Sequence, residues 1–149
     1  MIAVVQRVKS ASVLVEGKII GKIDQGYLIL LGVVKDDTKV DAQFLADKIS
    51  TFRIFPDGDK NMNLSIQDVE GSILVVSQFT LCGDWRKGRR PSFSSSAPSE
   101  KAEQLYLYFS KLLKNNNISV KTGQFAAMMD VELVNDGPVT FVMDSKNKS

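Results

Sequence analysis

The chain has 149 residues, of which 44% are hydrophobic and 24% charged, with a net charge of +2; this is typical of one folded domain with a substantial core. It contains no histidine and a single cysteine, Cys82. These counts exclude an intrachain disulfide, Ser-His-Asp or Cys-His catalysis within the chain, and histidine-ligated zinc. We therefore expect neither a metal nor a cofactor.

The first part of the chain predicts β-strands. Residues 2–9 and 11–15 are rich in β-branched side chains, and residues 18–23 would be the hairpin partner of the second run. Residues 27–34 form the continuous apolar run of a buried strand. The chain opens directly on a strand, without the charged start of a signal peptide, and no apolar run approaches the ~20 residues of a membrane span. We expect a cytoplasmic protein with no membrane partner.

Two helices are predicted from capping and periodicity. Thr38 and Asp41 have the spacing of a capping box, which marks the start of the first helix. Its apolar positions fall on one face: Ala42, Leu45, Ala46 and Ile49. A second helix is predicted from about Pro98 to Lys114, with its buried face at Ala102, Leu105, Phe109, Leu112 and Leu113.

The remaining apolar runs predict shorter strands. These runs lie at residues 52–55, 72–79, 118–122, 129–135 and 139–144. A long polar loop, residues 82–97, follows the run at 72–79 and precedes the second helix. We interpret residues 1–149 as one α+β domain with more strand than helix, because the connections are too irregular for a doubly wound sheet.

Two segments have the residue types of a substrate site. Asn135-Asp136-Gly137-Pro138-Val139-Thr140 lies between two strand-like runs, and its Gly-Pro step predicts a rigid turn with two backbone carbonyls and little bulk. Ser77-Gln78-Phe79-Thr80-Leu81 ends an apolar run and would bring a hydroxyl, an amide and backbone N–H groups together. The alternative interpretation is a hairpin-type turn and an ordinary buried strand.

The chemistry open to the second segment is limited by the absence of histidine. A hydroxyl is a weak nucleophile without a base, and no suitable base lies nearby in the sequence. An oxyanion hole needs only backbone N–H groups or a side-chain amide such as that of Gln78. Such a site suits hydrolysis of an already labile ester and is insufficient for a stable amide.

A cluster of positive charge lies in the long loop. It consists of Arg86, Lys87, Arg89 and Arg90, flanked by Trp85 and Phe93. Such a loop is suited to hold phosphates while an aromatic ring packs on a base. The alternative is an ordinary solvated loop, and the residues alone favour neither.

Over essentially its full length the chain resembles D-aminoacyl-tRNA deacylases. The matching segments occur in order: Val5-Gln6-Arg7-Val8, Ser77-Gln78-Phe79-Thr80-Leu81, Lys87-Gly88-Arg89-Arg90-Pro91, Thr122-Gly123-Gln124-Phe125, Met129 and Asn135-Asp136-Gly137-Pro138-Val139-Thr140. One position departs from the family pattern. The family commonly has glycine where this chain has Ala126, which adds a methyl group beside the expected adenosine pocket.

The resemblance implies a fold and a reaction. The fold would have a mixed, mostly antiparallel sheet with a barrel-like core and two main helices. The enzyme would be a homodimer with composite active sites that hydrolyses the ester between a D-amino acid and the terminal ribose of tRNA. The four basic residues of the long loop would contact tRNA phosphates.

The resemblance also implies residue roles. It assigns catalysis to Gln78, Phe79 and Thr80, and substrate binding to Ser77, Gly137, Pro138, Arg7, Phe125 and Met129. Backbone donors of Gln78 and Phe79 would bind the oxyanion, with Thr80 at the scissile ester. Phe125 and Met129 would line the adenosine.

The same resemblance implies how enantiomers are distinguished. The Gly137-Pro138 bond would be cis, and its turn, oriented by Arg7, would reach from one subunit into the active site of the other. A rigid wall beside the substrate's α-carbon accepts hydrogen and excludes a side chain, so that the D-amino acid fits and its mirror image clashes. Such a wall cannot exclude glycine.

Two other functions remain open from the sequence. One is a non-catalytic nucleic-acid-binding module that uses the basic loop, which ester turnover by the purified protein would distinguish. The other is an editing deacylase for L-aminoacyl-tRNA, with the Gly-Pro step trans and the wall withdrawn. Enantiomer preference would distinguish that one.

Overall fold

Strand β1 organises the fold, because three other strands pair with it. The computed structural model describes residues 1–59 and 61–148. In chain order the elements are β1 (Ile2–Val15), β2 (Lys18–Ile23), β3 (Gly26–Gly32), α1 (Lys39–Thr51), β4 (Phe55–Pro56), β5 (Met62–Leu64), β6 (Ser72–Ser77), α2 (Ser99–Asn115), β7 (Ser119–Thr122) and β8 (Asp130–Asp144). A single 3-10 turn, Phe79–Cys82, follows β6.

The main sheet is mixed and nearly closed. Its strand order is β2-β1-β3-β6-β7, and β8 pairs along the other side of β1. The pairings of β1 are antiparallel, whereas β3, β6 and β7 are parallel neighbours. Strand β2 returns against β7, since a side chain at Gly21 would begin 3.0 Å from the carbonyl oxygen of Thr122. The α+β, barrel-like fold with two main helices is confirmed.

The prediction of two final strands is wrong, because the runs on both sides of the Gly-Pro step belong to one continuous strand, β8. Residues on both sides of the Gly-Pro step pair with β1: Thr140 faces Gln6, and Asn135 faces Val8. Residues 136–139, hereafter the Gly-Pro segment, therefore bulge outward opposite Arg7 alone. A hairpin would have reversed the chain here. The bulge instead presents the segment at the open edge of a single strand.

Other element boundaries also differ from the sequence prediction, because pairing with distant strands determines them. β1 is one strand where two runs were predicted, since its two halves pair with different partners, β3 and β2, along one edge. The strand predicted at 52–55 is reduced to Phe55–Pro56, which pairs with β5. Strand β6 ends at Ser77 and not at residue 79, because the chain turns into the 79–82 turn.

The helices agree closely with the sequence prediction. The capping box at the start of α1 is confirmed, with Thr38 accepting from the N–H of Val40 and Asp41 accepting from the N–H of Thr38. The predicted apolar face of α1 is fully buried, and α2 buries Leu105, Phe109 and Leu113, with Ala102 and Leu112 half-buried. Within the described ranges, neither helix is long and apolar enough to cross a membrane.

Candidate active site

The 79–82 turn begins where β6 leaves the sheet. Ser77 is half-buried and pairs with Leu31 on β3. The next N–H, that of Gln78, donates to the carbonyl of Leu31 at 2.8 Å. Gly32 makes room for the turn, since a side chain there would begin 3.0 Å from Cβ of Leu81. The end of β3 thus lies against the turn and supports it.

Two backbone donors at the start of this turn belong to exposed residues, Phe79 and Thr80. Within the turn, Leu81 donates to the carbonyl of Gln78 and Gly83 to that of Thr80. The N–H groups of Phe79 and Thr80 have no hydrogen-bond partner in residues 1–59 and 61–148, as is usual for the first donors of a helical turn. The expectation that Gln78 supplies a backbone donor is wrong, because its N–H is held by Leu31.

The side chain of Gln78 has a different role. Its amide Nε2 donates to Oγ1 of Thr80, an exposed hydroxyl. The bond uses a lone pair of the hydroxyl oxygen and leaves its proton free to donate elsewhere. No other side chain of the described residues forms a hydrogen bond with this hydroxyl, so none is placed to act as its base. The arrangement orients Thr80 as a hydrogen-bonding group and does not activate it as a nucleophile.

The segment after β7 reaches the same edge of the sheet. Because β6 and β7 are parallel, both chains leave the sheet in the same direction. The N–H of Gly123 donates to Val75 on β6 at 3.0 Å, and the ring of Phe125 lies 5.9 Å from that of Tyr106. Met129 packs close to Gly123. Both the 79–82 turn and the segment that carries Phe125 and Met129 therefore begin at the edge where β6 and β7 end.

Ala126, the departure from the family pattern, has a left-handed backbone conformation with φ of +64°. This conformation is disfavoured for a residue with a side chain and easily adopted by glycine. The family's preference for glycine here thus has a local, conformational reason. Ala126 itself is exposed.

The Gly-Pro segment is fixed by the side chains around it. The Gly137-Pro138 peptide bond is cis, and both residues are exposed. Arg7, only 8% exposed, donates through Nε to the carbonyl of Asp136 at 3.2 Å and through Nη1 to that of Ile54 at 2.6 Å. Its Nε also lies 3.4 Å from the Asp136 carboxylate.

Asn135 supports the same segment from within β8, a role that the sequence reasoning missed. Its Nδ2 donates to the carbonyl of Arg7 at 2.9 Å and to that of Val139 at 3.0 Å. These two bonds close the base of the bulge. Its position in the motif was the only signal in the sequence, since nothing local predicts a side chain that bridges two strands.

Within one chain the two halves of the expected site lie on different strands, β8 and β6. The Gly-Pro segment lies opposite Arg7, which pairs with Tyr27 on β3, whereas Ser77 pairs with Leu31 at the other end of β3. Three strand spacings and four residues along the strands separate them. At about 4.8 Å per spacing and about 3.3 Å per residue, this is roughly 20 Å along the sheet.

The basic loop, residues 84–92, is closed by paired backbone bonds. Asp84 and Ser92 each donate to the other's carbonyl, at 2.7 and 2.9 Å. Arg86 makes a bidentate pair with Asp84, with both bonds at 2.9 Å. The hydrogen bonds from Arg86 lower the pKa of Asp84 to about 2, so this arginine is neutralised within the loop.

The other three cations of the basic loop differ from Arg86. Lys87, Arg89 and Arg90 are exposed and form no ion pair with any residue that the structure describes. Trp85 is 80% exposed beside them. The loop therefore presents three unneutralised cations and an indole to solvent. Among residues 1–59 and 61–148, no group of three His, Cys, Asp or Glu side chains is arranged to hold a metal ion.

Comparisons with known proteins identify the family of this chain. The family model for D-Tyr-tRNA(Tyr) deacylase matches residues 4–144. A D-aminoacyl-tRNA deacylase of Thermosipho africanus (strain TCF52B) is 59% identical over 146 residues, which cover 98% of each chain. A D-aminoacyl-tRNA deacylase of Thermosipho melanesiensis (strain DSM 12029 / CIP 104789 / BI429) is 60% identical over 147 residues, again covering 98% of each chain.

Two solved structures have the same fold. The c-Myc DNA Unwinding Element Binding Protein superposes with a TM-score of 0.90 at 40% identity, covering 97% of this chain and 98% of its own. A probable eukaryotic D-amino acid tRNA deacylase superposes with a TM-score of 0.82 at 17% identity, covering 95% of this chain and 97% of its own. At that identity the second likeness concerns the fold alone.

Proposed function

The chain belongs to the D-Tyr-tRNA(Tyr) deacylase family and is a hydrolase of the D-aminoacyl-tRNA ester, and on that premise we propose that it carries out chiral proofreading in translation. The substrate is the aminoacyl ester on the 3′-terminal adenosine of tRNA, and the products are free tRNA and the amino acid. The reaction takes place in the cytoplasm, where aminoacyl-tRNA is used. The observation that carries the proposal is the pair of N–H groups of Phe79 and Thr80, which have no hydrogen-bond partner among the described residues.

The proposed chemistry uses electrostatic stabilisation without a side-chain base. The N–H groups of Phe79 and Thr80 bind the ester oxygen as it gains negative charge. Water adds to the carbonyl carbon, the bond to the ribose oxygen breaks, and that oxygen takes a proton. The neighbouring ribose hydroxyl positions or activates the water, since the described residues place no base at Thr80. The ester of an aminoacyl-tRNA is labile enough for this limited assistance.

We assign substrate recognition to the residues around the turn. Ser77 and Gln78 shape the wall beside the ester, and Phe125 and Met129 line the adenosine. Their common location at one edge of the β6–β7 pair supports this assignment. Lys87, Arg89 and Arg90 contact tRNA phosphates, with Arg86 contributing less because Asp84 already neutralises it. The reaction needs no metal and no cofactor.

The proposed active unit is a homodimer with two composite sites. The Gly-Pro segment is exposed at the open edge of β8, roughly 20 Å along the sheet from the 79–82 turn of the same chain. In the proposed dimer a second copy brings its Gly-Pro segment beside the turn. Exposed apolar side chains on β8, at Leu133, Val134 and Val142, are available to an interface on this strand.

In this composite site the Gly-Pro segment excludes L-amino acids by its shape. The carbonyls of Gly137 and Pro138 approach the α-carbon and leave no room for a side chain on that side. The accepted side chain meets no selective pocket, so many D-amino acids are substrates. Glycyl-tRNA is also cleaved, because glycine has hydrogen on both sides.

A deacylation assay with the purified protein tests this proposal. We expect turnover of D-alanyl-tRNA and glycyl-tRNA, and almost none of L-alanyl-tRNA, with activity retained after exhaustive chelation. Activity should also fall on dilution below the dimer dissociation constant. Rapid cleavage of L-alanyl-tRNA would favour L-specific editing, and full activity from a proven monomer would contradict the composite site.

Nucleic-acid binding without catalysis is the second candidate. It is favoured by the exposed cations of the basic loop and by the name of the 40%-identical structure, a DNA unwinding element binding protein. Binding of single-stranded DNA as tight as that of tRNA, with no ester turnover, would support it. Turnover with D-selectivity would leave DNA binding at most a secondary property.

A further inference from the structure

Phe93 packs directly against the proposed catalytic turn. Its ring meets that of Phe79 edge to face, with centroids 5.0 Å apart and an interplanar angle of 61°. Such pairs stabilise beyond the effect of the area that they bury. On its other side the ring approaches Gly83, where a side chain would begin 2.9 Å from the Phe93 ring. Phe93 therefore contacts both the first residue of the turn and the residue that follows it.

The segment that carries Phe93 is anchored to the sheet. The N–H of Ala97 donates to Val33 at 2.9 Å, and the N–H of Lys35 donates to Ser95 at 3.0 Å. The hydroxyl of Ser95 donates to the carbonyl of Cys82, the last residue of the turn, at 3.0 Å. Residues 93–97 thus form a support that is tied both to the chain beyond β3 and to the turn.

The start of the turn depends on this support because Phe79 and Thr80 are exposed. The Phe79 side chain is 56% exposed, and Phe93 is its aromatic partner among the described residues. The N–H group of Phe79 belongs to the same residue as that ring. A shift of the ring therefore moves the donor, and displacements of about 1 Å at a reacting centre cost about a hundredfold in rate.

We propose that Phe93 is a positioning residue, which holds the Phe79 ring and thereby sets the direction of the Phe79 and Thr80 N–H groups toward the ester. This proposal rests on the proposed function of the 79–82 turn. In this proposal Phe93 makes no contact with the tRNA phosphates, although it lies next to the basic loop that would bind them. Its loss should therefore slow the chemical step and leave tRNA binding intact.

Steady-state kinetics of Phe93→Leu and Phe93→Tyr on two substrates test the proposal. The substrates are a D-aminoacyl-tRNA and the matched short D-aminoacyl-adenosine. We expect Phe93→Leu to lower kcat about tenfold or more on both, with KM for the tRNA nearly unchanged, and Phe93→Tyr to restore most of the rate because it keeps the ring. Phe44→Leu is the matched control, since Phe44 is a half-buried phenylalanine on α1 that packs on the core.

The outcomes separate this proposal from the proposed function. If the wild type fails to cleave D-aminoacyl-tRNA, the proposed function is wrong. If the wild type is active and Phe93→Leu has the same kcat, or loses no more than Phe44→Leu, the positioning role is wrong. A rise in KM for the tRNA alone would assign Phe93 to RNA binding and overturn the proposal.

A second variant removes the same contact from the exposed side. Phe79→Leu is the safer substitution for folding, and it should lower kcat on both substrates by a similar factor. If Phe93 acts through the Phe79 ring, the double variant is about as slow as Phe93→Leu alone. Losses that multiply in the double variant would show that the two residues act separately and would overturn the proposal.

Discussion

Arg7 fills the space that a side chain at Gly137 would need. Its Nη2 lies 3.1 Å from the position of a Cβ on Gly137, while its Nε donates to the preceding carbonyl, that of Asp136, at 3.2 Å. The guanidinium also binds the carbonyl of Ile54, next to β4. The missing side chain of Gly137 thus leaves room for the planar guanidinium of Arg7, and together they fix the Gly-Pro segment.

Gly137→Ala should inactivate the enzyme toward every substrate. Gly137 has φ of +131°, and an added Cβ would lie 2.7 Å from Cγ2 of Val139, so the segment must move. We expect at least a tenfold loss of turnover on D-alanyl-tRNA and glycyl-tRNA alike. Gly17→Ala is the control, because Gly17 also has a positive φ of +77° but has open space around it. Equal loss in the control would assign the effect to general backbone strain.

Arg7→Lys should be far from conservative. Lysine keeps the charge and cannot span the carbonyls of Asp136 and Ile54 with one planar group. Hydrogen bonds from charged groups contribute about 1.5–3 kcal/mol, and we expect a loss of unfolding free energy in that range together with weaker D/L discrimination. Chemical denaturation and paired D- and L-alanyl-tRNA assays measure the two effects. Arg89→Lys, at an exposed arginine that forms no ion pair with the described residues, should change neither.

Neutralising Arg89 and Arg90 together should weaken tRNA binding and flatten its salt dependence. Each lost phosphate contact lowers the slope of log K against log salt by about 0.7–0.9. Trp85, the only tryptophan of the chain, provides a fluorescence signal for the titration. Arg86→Gln should have a smaller effect, because Asp84 already pairs with this arginine.

The same loop variants should leave the short substrate unaffected. Hydrolysis of D-aminoacyl-adenosine involves none of the phosphates that the loop would contact. An unchanged salt slope in the double variant would return the basic loop to the interpretation of an ordinary solvated loop.

Thr80→Ala should retain more than about a tenth of wild-type activity. The hydroxyl accepts a hydrogen bond from Gln78 and has no base beside it among the described residues, so it does not act as a covalent nucleophile. Mass spectrometry after rapid quenching should detect no acyl-enzyme. An acyl group trapped on Thr80 would contradict this account, as would complete inactivity of a properly folded Thr80→Ala protein.

Ala126→Gly should stabilise the protein. The left-handed conformation at φ of +64° costs alanine about 1–2 kcal/mol, and the greater freedom of glycine in the unfolded chain offsets part of the gain. We expect a net increase of about 0.5–1 kcal/mol in the free energy of unfolding. Ala127→Gly, at the next and half-buried position, should destabilise. A decrease in both variants would show that the methyl of Ala126 makes a stabilising contact.

Local features were predictable because short-range interactions produce them. The capping box of Thr38 and Asp41 needs only residues three apart, and the buried face of α1 follows from helical periodicity. The strands before and after the Gly-Pro segment were also predicted. Their merging into a single strand was not, because it depends on pairing with β1, more than a hundred residues earlier in the chain.

The sequence by itself determined the chemical inventory: no histidine, two short motifs with the groups of an ester site, and a basic loop. The tertiary structure alone decided which of these groups are available. Leu31 occupies the N–H of Gln78, Asp84 neutralises Arg86, and Phe93 supports Phe79. The register of β1, β3, β6 and β8 separates the two motifs within one chain. The physical reason is that residue types follow from the sequence directly, whereas hydrogen-bond partners and distances arise from long-range strand pairing.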